Sequence, residues 1–153
     1  MDHIFCTLGS TMKKAGSKTA FAEIDHHYPL LIAKYFYGQQ TTLFAIVTAM
    51  SANEAFADIA VFYNQIKGKI EKDLSNLDDQ HLGLFRPSML SGQRDECRLG
   101  EQLGTIVMIA LAFMIPKKHQ VIQAKKVAKA MLFYAENPPV GVSIIQSDQL
   151  QNY

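Results

Sequence analysis

Leu43-Phe44-Ala45-Ile46-Val47-Thr48 is an unbroken apolar run that closes on a hydroxyl. A strand with one wetted face alternates apolar and polar residues. A strand without that alternation is covered on both faces, as in the middle of a parallel sheet. Parallel neighbours are joined by crossovers of a dozen or more residues, usually helical, so this run demands helices before and after it.

The remaining residues supply that rhythm. Residues 3–8 read as a strand closed by Gly9-Ser10-Thr11, followed by a basic loop from Lys13 to Lys18. Phe21, Ile24, Tyr28, Leu31, Ile32, Tyr35 and Phe36 recur at helical spacing, with Pro29 predicting a kink or restart and Gly38 a stop. A helix is predicted over residues 59–77, burying Phe62, Ile66, Ile70 and Leu74, with Lys67, Lys69, Glu71, Lys72 and Asp73 as its solvated remainder. A strand over 81–85, helices over 99–115 and 124–136, and a strand over 140–145 complete the chain. Alternation of this kind predicts an α/β layered fold with right-handed crossovers. The 153 residues carry no repeat, linker or low-complexity tract, so one domain over 1–153 is expected.

Composition excludes several functions. Fifteen basic against fourteen acidic residues give no field for a phosphate backbone, so nucleic acid is not expected as a partner. The longest apolar run, Ile106 to Ile115, is ten residues, where a bilayer span needs about 20, so membrane spanning is not expected either. Cys6 and Cys97 lie far apart without metal-ligand spacing, and the five histidines add none, so no metal site is expected. The unpaired cysteines predict a reducing, cytoplasmic setting, and an acidic rather than basic start predicts no signal peptide.

The sharpest chemical pattern is Tyr63-x-x-x-Lys67 on the helix predicted over residues 59–77. At i and i+4 both side chains leave the same helix face, and an ammonium near a phenol favours the phenolate. Spacing alone is weak, because a half-buried tyrosine beside a surface lysine is the commoner case. The position is more telling: Thr48 ends the apolar strand, and ligands of open α/β sheets bind at the carboxyl ends of the strands. A hydroxyl, a phenol and an ammonium there make a carbonyl–alcohol redox site.

These residues also resemble a known family. Phe62-Tyr63-Asn64-Gln65-Ile66-Lys67-Gly68-Lys69-Ile70-Glu71 is similar to the F-Y-x-x-[VI]-K-G-x-[LI]-E helix of atypical short-chain dehydrogenases/reductases, the branch of the Tat-interacting-protein-like oxidoreductases. Phe5-Cys6-Thr7-Leu8-Gly9-Ser10-Thr11 with Lys14-Ala15-Gly16-Ser17, Val47-Thr48-Ala49-Met50-Ser51-Ala52, and Phe85-Arg86-Pro87-Ser88-Met89-Leu90-Ser91-Gly92-Gln93-Arg94 resemble further segments of that family, in the same order. The resemblance implies a Rossmann-like, doubly wound parallel sheet and an NAD- or NADP-dependent reaction on a carbonyl or sugar-nucleotide substrate. It implies Tyr63 as acid/base, Lys67 as the group that lowers the Tyr63 pKa and holds the nicotinamide ribose, and Thr48 in the place of the family's serine. Leu8, Gly9, Ser10 and Thr11 would lie along the cofactor, and Arg86, Pro87 and Ser88 would border its nicotinamide end.

One feature of that family does not occur in these residues: a G-x-G-x-x-G or G-x-x-G-x-x-G turn, which cradles the pyrophosphate at a helix N-terminus. The chain therefore corresponds to the C-terminal strands and helices only, a partial Rossmann-like sheet. By the 3-2-1-4-5-6 strand order, the strand near Ile4 is expected to present an open edge, so that the chain either pairs there with a second copy or another chain or is only partly stable, and by itself binds the cofactor weakly or not at all. The alternative functions are a non-catalytic interaction module that oligomerises through that edge, and a gene fragment whose other half comes from elsewhere.

Overall fold

The computed structural model describes residues 2–37, 41–50, 59–77, 81–91, 116 and 119–153. The expected loop after Thr48, the stop at Gly38, Cys97 and the helix expected over 99–115 lie outside the described residues. Strands β1 (Asp2–Cys6), β2 (Thr41–Val47), β3 (His81–Arg86) and β6 (Gly141–Gln146) form one parallel sheet in the order β1-β2-β3-β6. Helices α1 (Met12–Ala15), α2 (Lys18–Ala22) and α3 (Tyr28–Phe36) lie between β1 and β2, α4 (Ile59–Ser75) between β2 and β3, and α5 (Ala124–Glu136) before β6. The short α6 (Ser147–Leu150) follows. Two-residue strands β4 (Leu90–Ser91) and β5 (Ile122–Gln123) pair in parallel beside the main sheet. This is the expected α/β architecture, with the strand near Ile4 at an edge of the described sheet.

The apolar run divides by parity. Leu43 and Ala45 face a cluster with Phe85, Ile145 and the α5 residues Val127, Ala130 and Met131. Phe44 and Ile46 face the opposite cluster, with Leu82 and Leu84, Ala33 of α3, and Ile70 and Leu74 of α4. Helices thus cover both faces, and removing each large β2 side chain from water stabilises the fold by roughly 1.5–3 kcal/mol. Gly83 belongs to the first face: a Cβ there would sit 2.9 Å from the Phe85 ring, so the aromatic lies over bare backbone.

The helical stretch before β2 departs from expectation in a way that serves the site. Pro29 falls in the first turn of α3, where its missing N–H costs least. Just before it, Glu23–His27 forms a single π-helical turn, and the Tyr28 N–H bonds the Glu23 carbonyl. A widened turn ahead of the proline keeps the helix running without a break, and such turns re-aim side chains. Here the re-aimed residue is Asp25, 1% exposed.

Candidate active site

The C-terminal ends of β1 and β2 open into a cavity of about 900 Å³ lined by Thr7 to Thr11, Thr48, Tyr63, Lys67 and, from the far side, Val127 and Met131. Leu8, Gly9, Ser10 and Thr11 therefore share one cavity with Thr48, Tyr63 and Lys67. A smaller cavity of about 360 Å³ is lined by Thr48, Tyr63, Asn64, Pro87, Ser88 and Met89 among others. The Ser88 amide is held by Ser147 Oγ, and its hydroxyl donates to the Gln120 carbonyl. Arg86 borders neither cavity: its guanidinium turns back onto Glu71 of α4. Two members of the Arg86-Pro87-Ser88 segment thus flank the site, and the third braces it from behind.

Two residues read as solvated or passed over in the sequence are buried here. Asp25 Oδ1 lies 2.7 Å from Lys67 Nζ, with both side chains nearly inaccessible, and Asp25 Oδ2 accepts the Ser10 N–H at 2.7 Å. Glu71, 5% exposed, accepts from Thr48 Oγ1 at 2.5 Å and from Arg86 Nε and Nη2. Neither Lys67 nor Glu71 belongs to a solvated face, because α4 turns both toward the site while Ile66, Ile70 and Leu74 pack around them. The available signal for Glu71 was its spacing: residues 63, 67 and 71 lie four apart on one face. For Asp25 it was an acid set four residues after the buried Phe21, within an apolar stripe.

The electrostatics reverse one expectation. Lys67 Nζ sits 5.8 Å from the Tyr63 ring centroid, yet the Tyr63 phenol is pushed above its ordinary value of 10. Burial is the main cause, and the Asp25 carboxylate adds to it. The lysine charge faces a buried carboxylate 2.7 Å away, so its effect on the phenol is largely cancelled. Tyr63 keeps its proton, and its ring packs on Phe21 with centroids 5.6 Å apart. Burial likewise raises the Cys6 thiol, against opposing effects of the Leu8 backbone and Lys67.

A second tie fastens the π turn to α4: His26 Nε2 and Asp73 Oδ2 are 2.7 Å apart. Among the described residues no group of three or more His, Cys, Asp and Glu side chains could hold a metal. No described helix is long and apolar enough to cross a membrane.

Comparison with known proteins gives the chain a lineage. The HIM1 family model matches residues 1–119. "Protein HTATIP2" of Rattus norvegicus is 32% identical over 99 residues, covering 65% of this chain and 39% of that protein. "Protein FMP52, mitochondrial" of Eremothecium gossypii is 29% identical over 115 residues, covering 75% of this chain and 49% of that protein. The Candida albicans protein of the same name is 32% identical over 95 residues, covering 62% and 40%. The chain thus spans from 39 to 49% of the length of these relatives. The relatives named mitochondrial overturn the expectation of a cytoplasmic setting. That expectation rested on unpaired cysteines, which speak to redox chemistry and to no particular organelle.

Proposed function

The chain belongs to the HIM1 family, and from that premise we propose that it carries the proton-handling part of an oxidoreductase site, dependent on NAD or NADP and acting at a carbonyl or alcohol carbon. The observation that carries this reading is the shared cavity at the strand ends, where Leu8 to Thr11, Thr48, Tyr63 and Lys67 converge although they come from three separate stretches of sequence. Open parallel sheets bind their ligands at this end.

The residues fit the nicotinamide-ribose end of a dinucleotide. Gly9 brings bare backbone to the cavity wall, where a Cβ would approach Asp25 Oδ1 to 3.4 Å and Lys67 Nζ to 3.6 Å. The Lys67 ammonium, with three N–H donors, is ion-paired to Asp25 Oδ1 at 2.7 Å and lines the cavity, where it can donate to ribose hydroxyls. Asp25 fixes the lysine in place and is itself fixed by the Ser10 amide. When bound, the dinucleotide supplies or accepts the hydride. Tyr63, protonated because it is buried beside Asp25, then serves as the acid that donates to a developing alkoxide. Without a Gly-rich pyrophosphate turn in these residues, the chain by itself binds the dinucleotide more weakly than micromolar.

The test combines a calorimetric titration of NADPH and NADH with turnover of a panel of aldehydes and ketones by wild type and Tyr63→Phe. Saturable binding, with turnover lost in Tyr63→Phe at unchanged melting temperature, supports the reading. Turnover unaffected by that substitution removes Tyr63 from the chemistry.

One observation favours a second reading, association through β1. That strand pairs only with β2 among the described residues, and Phe5 and Leu8 are each more than two-fifths exposed beside the edge. A homodimer by size-exclusion chromatography, dissolved by Phe5→Lys, supports this role; a monomer at high micromolar concentration opposes it.

A further inference from the structure

Thr48 Oγ1 carries one proton, and its surroundings commit it. Glu71 Oε1 lies 2.5 Å away. Among the described residues the other acceptor within reach, the Phe85 carbonyl, is 3.4 Å away and already takes the Thr48 amide at 2.8 Å. Hydrogen bonds to a charged carboxylate are shorter and stronger than neutral ones, so the proton points to Glu71. Glu71 is held in turn by Arg86, with Nε at 3.0 and 3.2 Å from the two carboxylate oxygens and Nη2 at 2.5 Å. An ionised carboxylate has no proton to give, so donation runs from Thr48 to Glu71 and not the reverse.

This orientation has a chemical consequence. With its proton engaged, Thr48 Oγ1 keeps only acceptor capacity for whatever enters the two cavities that it lines. A carbonyl oxygen is itself only an acceptor and gains nothing from such a partner. We propose that Glu71, braced by Arg86, is a positioning residue that fixes Thr48 as a hydrogen-bond acceptor, so that the ligand atom seated against Thr48 is a hydroxyl. The inference rests on the oxidoreductase reading and narrows its substrate to hydroxylated compounds: Tyr63 alone serves the carbonyl oxygen, and Thr48 selects for an alcohol group.

Glu71→Gln makes the inference decisive, because it reverses the polarity without changing size. Arg86 needs an acceptor, so it retains the amide oxygen, and the amide N–H₂ is left facing Thr48. The threonine then accepts from Gln and has its proton free for a ligand. Two measurements on the whole chain read this. The first is the NMR signal of the Thr48 hydroxyl proton, expected to be protected from solvent exchange in wild type and Thr48→Ser and to lose that protection in Glu71→Gln. The second is titration of the Thr48 methyl resonance with cyclohexanol and cyclohexanone. Wild type should prefer the alcohol about tenfold, the scale of one mismatched buried donor or acceptor, and Glu71→Gln should reverse the order. A freely exchanging wild-type hydroxyl, a preference for the ketone, or no response to either probe overturns the inference. If the hydroxyl is protected and the alcohol preferred while no dinucleotide binds, the oxidoreductase reading fails and the orientation of Thr48 stands.

Discussion

Helix α4 carries two buried ion pairs one turn apart, and they are built to different ends. Lys67 meets Asp25 in the wall of the large cavity, where among the described residues the ammonium is ion-paired with one carboxylate and faces the space a ligand would enter. Glu71 meets Arg86 behind that wall, and with Thr48 four hydrogen bonds converge on its carboxylate. The first pair joins α4 to a π turn and, through Ser10, to the loop after β1. The second joins α4 to the ends of β2 and β3. One pair leaves binding capacity open toward a ligand; the other closes it and orients a neighbour. A buried charge pair is thus read by the hydrogen-bonding capacity it leaves unused, not by its presence alone.

The comparison breaks most visibly when one partner is removed. Lys67→Met leaves Asp25, whose side chain is fully inaccessible, without a counter-charge, and should cost about 3–5 kcal/mol in urea unfolding. Glu71→Ala should cost less, about 2–3 kcal/mol, because the Arg86 side chain is one-fifth exposed and reaches water. Equal losses would mean that the two pairs are equally enclosed. A finer distinction comes from Tyr63. Its folded pKa lies above the ordinary 10, so the unfolded chain ionises first. The stability this phenol contributes is complete below pH 10 and declines as pH rises through the folded value. Asp25→Asn removes the carboxylate that raises the phenol and frees the Lys67 charge to act on it, so the ultraviolet tyrosinate titration should move to lower pH. No movement would show that Asp25 does not set this balance. The smallest effect belongs to His26→Ala: its pair with Asp73 is part-exposed, and thermal melts should register under about 1 kcal/mol.

How far the sequence disclosed all this depends on what each feature is made of. The β2 run was legible because five apolar residues without alternation fit one environment, and both of its faces are covered. The apolar stripe of α4 was legible for a related reason, since Ile66, Ile70 and Leu74 repeat with the helix. Asp25 and Glu71 were not, because whether a charge is solvated depends on partners distant in sequence, here Lys67 and Arg86. The pKa direction at Tyr63 was missed for the same reason: the i+4 lysine is visible in the sequence, and the aspartate that neutralises it is not. Pro29 announced an irregularity but not its form, a π turn that turns Asp25 inward. The β4–β5 pair is two residues per strand and has no period to detect.

In the oxidoreductase reading proposed above, Leu8 to Thr11, Thr48, Tyr63 and Lys67 form one ligand-binding surface for the nicotinamide end of a dinucleotide. The direct test is an NMR titration of the labelled chain with NADP⁺ to millimolar concentration, following backbone amides and the Tyr63 ring together. Saturable shifts are expected to gather on Gly9, Ser10, Thr48, Tyr63 and Lys67, with the far end of the sheet around Gly141 silent. Shifts absent at millimolar dinucleotide, or scattered away from these residues, would contradict it.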